Sequence, residues 1–249
     1  MPVNPGHRAD RTERLKAALA EIHKRWGSDA LRPLSAVKVA STHIPTGFPV
    51  LDALLGGGVP CGCAVELSGV PTSGMTTLAL KVIAEAQRQG RPTVYVDLAS
   101  TFDPSYAARC GIALNRLLIA RPEDAARGLD ILHVVGAEAG TGLVVFDSTT
   151  EALAARNGST RLNSALRRLS PALRQSGCTA VLLSPGVQTN AISHVALRLY
   201  VENIGWIEAD RDVSGLQARV TVLKDARNRS GQQVEFPMTL DDPARKDAA

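Results

Sequence analysis

The sequence lacks any uninterrupted apolar run of the ~18 residues that a membrane-spanning helix needs, so no membrane partner is expected. Its start, MPVNPGHRADR, also lacks the apolar core of a signal peptide. Its four cysteines include no C-x-x-C pair and its five histidines show no metal-ligand spacing, so we expect buried thiols rather than a zinc site. These absences predict a cytoplasmic protein.

Neither sign of charge dominates, and aromatic residues make up only 4% of the chain. The net charge of +4 and the isoelectric point near 9.0 permit contact with nucleic acid without establishing it. No Ser-His-Asp or Cys-His set occurs at a spacing that indicates a nucleophilic enzyme. The 249 residues and 45% hydrophobic content are ordinary for one globular core.

The stretch GVPTSGMTT matches a phosphate-binding loop, G-x-x-x-x-G-K-[ST], except that Met75 replaces the lysine. Such a loop cradles phosphates with backbone N–H groups, while its lysine reaches the terminal phosphates and its hydroxyl holds Mg²⁺. A thioether supplies neither charge nor donor. The alternative is an ordinary strand-to-helix turn that carries two glycines. The predicted nucleotide-binding residues are Gly69, Val70, Pro71, Thr72, Ser73, Gly74, Met75, Thr76 and Thr77.

The surroundings of this loop support the nucleotide interpretation. Residues 64–68 read as a short buried strand, and residues 76–89 as a helix that Gly90 closes. Strand, glycine loop and helix together aim a helix N-terminus at an anion. Asp147 ends a later apolar strand, which is where such proteins hold Mg²⁺, although an isolated Asp there is more often a cap or turn residue. Thr76 and Asp147 are therefore the predicted metal ligands.

Helices and buried strands alternate along the chain, which predicts an α/β fold with a mostly parallel central sheet and helices on both faces. The predicted strands after the loop are 93–98, 117–120, 143–147 and 178–184. The predicted helices begin at 103–104 and span 122–136 and 161–176. Two longer β segments, 195–207 and 216–224, flank a turn-rich stretch at 209–215. They predict an antiparallel hairpin on one sheet edge, followed by a last strand at 234–240.

Several segments of the chain resemble the RecA family of recombinases. They are LKAALAEIHKRWG (15–27), PTGFPVLDALLGGGVPCG (45–62), the loop itself, FDPSYAARCGIALNRLL (102–118), HVALRLYVENIG (194–205) and ARVTVLKD (218–225). The resemblance implies a RecA-like core at 41–240, an N-terminal helix and linker at 1–40 and a disordered tail at 241–249. It stops near Leu240, so we expect the family's small C-terminal domain to be absent.

Three positions depart from the family pattern. The resemblance places the water-activating glutamate at Ala99 and the loop lysine at Met75. The strand that in the family ends in Asn-Gln, where the Gln senses the terminal phosphate, ends here in Ser184-Pro185. The combined losses predict no catalytic residue and no need for hydrolysis. ATP and Mg²⁺ are expected to bind weakly if at all.

The resemblance also implies two DNA-binding loops, at about 155–160 and 186–193, which are both short here. A basic stripe near the first loop gives the predicted DNA-binding residues Arg156, Arg161, Arg167 and Arg168, with Arg174 beyond them. The alternative for this stripe is a solvated helix face. Because neither loop carries an aromatic residue to stack on bases, the prediction is weak, salt-sensitive, non-specific binding to single-stranded DNA.

An apolar stripe at helical spacing marks the N-terminal segment. Leu15, Leu19, Ile22 and Trp26 share one face of a predicted helix that Asp10 and Glu13 would cap. A lone short helix is marginal in water, so this face must pack on something. One candidate is the core of the same chain. The resemblance instead favours a neighbouring subunit or a partner protein.

Two function hypotheses follow. The first is a non-hydrolysing RecA-like accessory protein of DNA repair or the damage-induced SOS response, resembling the ImuA-type proteins. It would bind a recombinase or an error-prone polymerase module, self-associate and lie at the nucleoid. The alternative is an active DNA-dependent ATPase or recombinase of the RecA class. That alternative requires a lysine from elsewhere, such as Lys81, Lys224 or a neighbouring subunit.

Overall fold

The computed structural model describes residues 43–186, 191–209 and 212–239, together with parts of a helix between residues 13 and 25. The chain divides into two units, Met1–Ser41 and Thr42–Ala249, and the second carries the features discussed below. The apolar stripe predicted at Leu15, Leu19, Ile22 and Trp26 lies outside the described residues. Within the described part, no helix is long and apolar enough to cross a membrane.

An eight-stranded sheet organises the second unit, with the strand order β10-β9-β8-β3-β7-β6-β4-β5. Strands β3 to β7 run parallel, β8 joins β3 in parallel, and β8, β9 and β10 form an antiparallel ribbon at one edge. This architecture confirms the predicted α/β fold. The strands are β1 (His43–Ile44), β2 (Val59–Pro60), β3 (Ala64–Gly69), β4 (Thr93–Asp97), β5 (Leu117–Ala120), β6 (Leu143–Asp147), β7 (Thr179–Pro185), β8 (Leu197–Ala209), β9 (Asp212–Asp225) and β10 (Gln233–Thr239).

Helices cover both faces of the sheet because residues of each buried strand alternate between two apolar cores. Val65, Val145 and Val181 face the core that α2 completes, whereas Val144 and Phe146 face the core of α4 and α6. The helices are α1 (Pro49–Leu55), α2 (Met75–Arg88), α3 (Pro104–Arg109), α4 (Ala125–Ala137), α5 (Thr149–Ala154) and α6 (Gly158–Ser176).

Local capping sets where several of these helices begin. Asp103 accepts hydrogen bonds from the amides of Ser105 and Tyr106 at the start of α3, and Asp124 accepts one from Arg127 at the start of α4. Each bond satisfies an amide that has no partner within the helix. The carboxylate caps explain why α4 begins at Ala125 rather than at the predicted residue 122.

Two boundaries differ from the sequence predictions in ways that matter for the site. The turn-rich stretch 209–215 is largely strand, because the antiparallel ladder between β8 and β9 continues to the pair Ala209 and Asp212. Helix α6 begins at Gly158, directly after Asn157 in the left-handed conformation (φ 57°). The first predicted DNA loop is therefore only residues 155–157. The elements α1, α5, β1 and β2 were not predicted.

A buried ion pair joins the ribbon to the parallel sheet. The Arg198 guanidinium on β8 donates from Nε to Glu66 Oε2 on β3 at 2.5 Å, and the two side chains are 8% and 2% exposed. Arg198 Nη2 also donates to the carbonyl of Ile192, in the segment between β7 and β8. The pair therefore fixes both the β3–β8 register and the segment that follows β7.

Replacement of Arg198 by Met is expected to destabilise the protein by about 3–5 kcal/mol, because Glu66 would remain buried without its countercharge. The double variant Glu66→Leu with Arg198→Met should recover most of that loss. Urea unfolding of the wild type, both single variants and the double variant measures the coupling. Additive effects in the double variant would contradict the ion pair's role.

Candidate functional site

The predicted phosphate loop joins β3 to α2 at the carboxyl edge of the parallel sheet. Gly74 precedes α2 with φ 91°, a left-handed conformation, and a Cβ atom there would lie 2.8 Å from Met238 Sδ. A Cβ atom at Gly69 would lie 2.6 Å from the carbonyl oxygen of Val201. Both positions therefore require glycine, for the backbone conformation at one and for the close approach of β8 at the other.

Internal hydrogen bonds hold the loop. The amide of Ser73 donates to the carbonyl of Val70 at 3.1 Å, and the buried Ser73 hydroxyl accepts from the amide of Met75 at 3.3 Å. The first bond within α2 runs from the Leu78 amide to the Gly74 carbonyl at 2.9 Å. The amides of Thr76 and Thr77 precede that bond, so the helix N-terminus offers them to an anion.

A cavity of about 540 Å³ opens above the loop. All nine predicted nucleotide-binding residues line it, together with Asp147 and Ala99. Among the described residues, no lysine, arginine or histidine lines this cavity. Lys81 and Lys224, which the active-enzyme hypothesis needed as substitutes, are absent from its lining. Within the described chain, an anion in the cavity would therefore meet backbone dipoles but no positively charged side chain.

Met75 lines the cavity and is also part of the protein core. Its side chain is only 7% exposed and belongs to the apolar core on the α2 face of the sheet. A thioether suits that position, because an unbranched apolar side chain fills irregular gaps in a core. Methionine at position 75, where the family pattern has lysine, is thus consistent with the buried position of this residue.

Asp147 lies at the end of β6, beside the loop. Its Oδ2 accepts a hydrogen bond from the Tyr95 hydroxyl at 2.5 Å, and its carbonyl accepts from the amide of Leu98 at 2.6 Å. Burial raises the pKa of Asp147; the Tyr95 bond opposes that rise, and the nearby Asp97 and Glu151 add to it. Burial and the same carboxylate also raise the pKa of Tyr95.

Thr76 and Asp147, the predicted metal ligands, both line the cavity, and both side chains carry oxygen atoms. Hydroxyl and carboxylate oxygens suit Mg²⁺, which usually takes one or two carboxylates and completes its shell with phosphates and water. Bound there, Mg²⁺ would neutralise phosphate charge. Among the described residues, no group of three or more His, Cys, Asp or Glu side chains is arranged to hold a metal. The donor set therefore fits a cation that arrives with a phosphate ligand.

Several residues that line the cavity were not predicted from the sequence, among them Glu151 and Trp206. Glu151 lines the cavity, and its Oε2 accepts a hydrogen bond from the Ser148 hydroxyl. The S-x-x-E spacing from Ser148 to Glu151 is typical of a capping box, which indicates that this carboxylate turns back towards the start of α5 but not that it reaches the cavity. Trp206 on β8 also lines the cavity. No local pattern marks it, because its position depends on how far the ribbon extends.

The positions that depart from the family pattern also lie at this edge. Ala99 and Pro185 line the cavity, and the Ser184 hydroxyl accepts a hydrogen bond from Thr149 Oγ1 at 2.8 Å. Thr150 Oγ1 also donates a hydrogen bond to the Pro185 carbonyl at 3.3 Å. The two hydrogen bonds together hold α5 against the end of β7. The polar groups at the end of β7 therefore position α5.

The basic stripe is separate from the residues that line the cavity. Arg156 precedes α6, and Arg161, Arg167 and Arg168 are exposed along α6. Arg161 and Arg168 are seven residues apart and therefore share a helix face. The second predicted DNA loop falls between β7 and β8, and its residues 187–190 lie outside the described part. DNA binding by the stripe stays a prediction.

Comparisons with known proteins agree with this geometry. A family model, the RecA N-terminal domain, matches residues 13–242, and the chain belongs to that family. The chain is 30% identical to "Protein RecA" of Herpetosiphon aurantiacus, with 95% of this chain and 73% of that protein covered. It is 31% identical to "Protein RecA" of Roseiflexus sp. (91% and 73% covered) and 33% identical to that of Brucella anthropi (91% and 71%).

Replacement of Asp147 by Asn is expected to raise the melting temperature at neutral pH. The folded chain raises the pKa of Asp147, so the folded state binds this proton more tightly than the unfolded state. The wild type should accordingly lose stability as pH rises from the ordinary Asp range through the raised folded pKa. The advantage of Asp147→Asn should shrink at acid pH.

Thermal denaturation across that pH interval checks this expectation. Replacement of the exposed Asp130 by Asn is the matched control, and it should change little. A wild type whose stability, relative to Asp147→Asn, improved with rising pH would contradict the direction of the shift.

Proposed function

We propose that this chain is a non-hydrolysing RecA-family accessory protein that acts in DNA repair or damage-induced mutagenesis, as the ImuA-type proteins do. Family membership supports the broad role in repair and recombination. The observation that carries the accessory role is the cavity that lacks a positively charged side chain among its described lining residues. Its partner is a recombinase or an error-prone polymerase module, contacted through the N-terminal stripe of Leu15, Leu19, Ile22 and Trp26.

Loss of the lysine weakens nucleotide binding without removing the site. A charge-assisted hydrogen bond contributes about 1.5–3 kcal/mol, so its absence costs roughly ten- to a hundredfold in affinity. The backbone amides of Thr76 and Thr77 and the oxygens of Asp147 remain available to a nucleotide with Mg²⁺. The cavity thus supports weak nucleotide binding, while Ala99 supplies no base to activate water.

Replacement of Met75 by Lys tests this division between binding and hydrolysis. The variant should bind ATP about ten- to a hundredfold more tightly and still release no phosphate above background. Met75→Gln, which has similar length and no charge, is the matched control and should bind like the wild type. Isothermal titration gives the affinities, and a phosphate-release assay with and without DNA gives the turnover. Wild-type turnover near ~1 per second, an ordinary rate for phosphoryl transfer, would overturn the proposal.

A second candidate function, an active DNA-dependent ATPase, rests on Glu151. Its carboxylate lines the cavity beside Asp147 and Ala99 and could take the place of the absent glutamate as the group that activates water. Turnover that disappears in Glu151→Gln would favour this candidate. Gln retains the capping position after Ser148, so such a loss would not report a damaged helix.

DNA binding by the accessory protein is expected to depend on phosphate contacts from the α6 stripe. Replacement of Arg167 and Arg168 by Ala should weaken single-stranded DNA binding to a similar extent for every sequence and should reduce its salt dependence. Fluorescence anisotropy at several salt concentrations measures both effects. The control replaces the exposed Arg116 and Arg127, which lie outside α6. Sequence-selective binding that resists salt would contradict the expectation.

A further inference from the structure

The antiparallel ribbon extends past the parallel sheet and forms one wall of the cavity. Strand β8 pairs with β3 only over residues 197–200, whereas its pairing with β9 continues to Ala209. Trp206 lies in the extended part and pairs with Leu216 on β9. Both side chains line the cavity above the loop. The indole of Trp206 therefore reaches the cavity from the part of β8 that pairs only with β9.

Trp206 is the exposed aromatic of the described part of the chain. Trp206 is 56% exposed, whereas the described Phe residues are buried and the described Tyr residues are buried or half-buried. Tryptophan is enriched where a partner covers its ring, and ligand sites are lined mainly by hydrophobic and aromatic side chains. The neighbouring Leu216 is only 9% exposed and lies on the ribbon beside the indole.

The other aromatic residue of the cavity is already engaged. The Tyr106 hydroxyl shares a 2.6 Å hydrogen bond with Thr77 Oγ1, and the Arg109 guanidinium lies 5.5 Å from the centre of its ring. Tyr106 is thus held against α2 from one side. Trp206 instead presents an indole surface that no hydrogen bond or ring contact of the described residues occupies.

The charges of the cavity favour recognition of a planar ring over recognition of phosphate. Asp147 and Glu151 line it, and no cationic side chain of the described residues offsets them. Stacking of one base on an aromatic side chain changes affinity by roughly 5- to 150-fold. That range covers the ten- to hundredfold loss expected from the missing lysine. One stacking contact is therefore sufficient to offset it.

We propose that Trp206 stacks on the base of a nucleotide in this cavity, and that the chain recognises the base more than the terminal phosphate. This inference rests on the proposed nucleotide site. A cavity of about 540 Å³ is within the usual range for small-molecule sites and accommodates a nucleotide. Binding would then depend little on the number of phosphates, unlike binding to a loop with its lysine.

The test uses the full chain with Trp26 replaced by Phe, so that Trp206 is the single tryptophan. ATP and ADP with Mg²⁺ should quench its fluorescence and bind within about threefold of each other. Inorganic tripolyphosphate with Mg²⁺, which carries no base, should bind at least tenfold more weakly by isothermal titration. Trp206→Ala should weaken ATP binding roughly 5- to 150-fold and leave tripolyphosphate binding unchanged.

Two control variants separate stacking from a change in the ribbon. Trp206→Phe should keep most of the affinity for ATP, and Val213→Ala, which removes another exposed apolar side chain of the ribbon, should keep all of it. Circular dichroism confirms that each variant is folded. Equal ATP binding by the wild type and Trp206→Ala would overturn the inference, as would equal affinity for ATP and tripolyphosphate. Absence of any nucleotide binding would also overturn it, whereas phosphate release would overturn the accessory role instead.

Discussion

The candidate site depends on the parallel register of four neighbouring strands. Gly69 of β3 is level with Pro185 of β7, and Asp97 of β4 is level with Asp147 of β6. Because parallel strands end at one edge, residues far apart in the chain meet there without any direct contact between their loops. The helix N-terminus of α2, the carboxylate of Asp147 and the start of α5 all inherit their positions from this register. The other residues that line the cavity are added around this edge of the sheet.

The sequence predicted the parts of the site that local patterns determine. The glycines of the loop, the acid at the end of β6 and the alternation of helices with buried strands each have a short-range signal, and the fold class followed from them. Trp206 and Glu151 could not be placed in the same way. The first depends on a ribbon that pairs to its tip, and the second on a capping turn whose direction is visible only in three dimensions.

The boundary error between β8 and β9 has a tertiary origin. Residues 212–215, rich in small and polar residues, look like a turn, yet they continue an antiparallel ladder because β8 supplies partners for their backbone. Tertiary pairing overrides local propensity in strands more readily than in helices. The same tertiary pairing explains why the indole of Trp206 lies beside the phosphate loop, which the sequence did not predict. Sequence reasoning located the loop, but the opposite wall of the cavity comes from a distant hairpin.

The buried pair of Glu66 and Arg198 also restricts how this family member can change over evolutionary time. A mutation at either position first passes through a protein that carries an isolated charge inside the sheet, and selection removes such intermediates. We therefore expect substitutions at these two positions to occur together rather than singly. Arg198 also donates a hydrogen bond to the carbonyl of Ile192, so the same side chain restrains the backbone at that residue. A substitution at position 198 would therefore release the backbone at Ile192 as well as leave Glu66 without its countercharge.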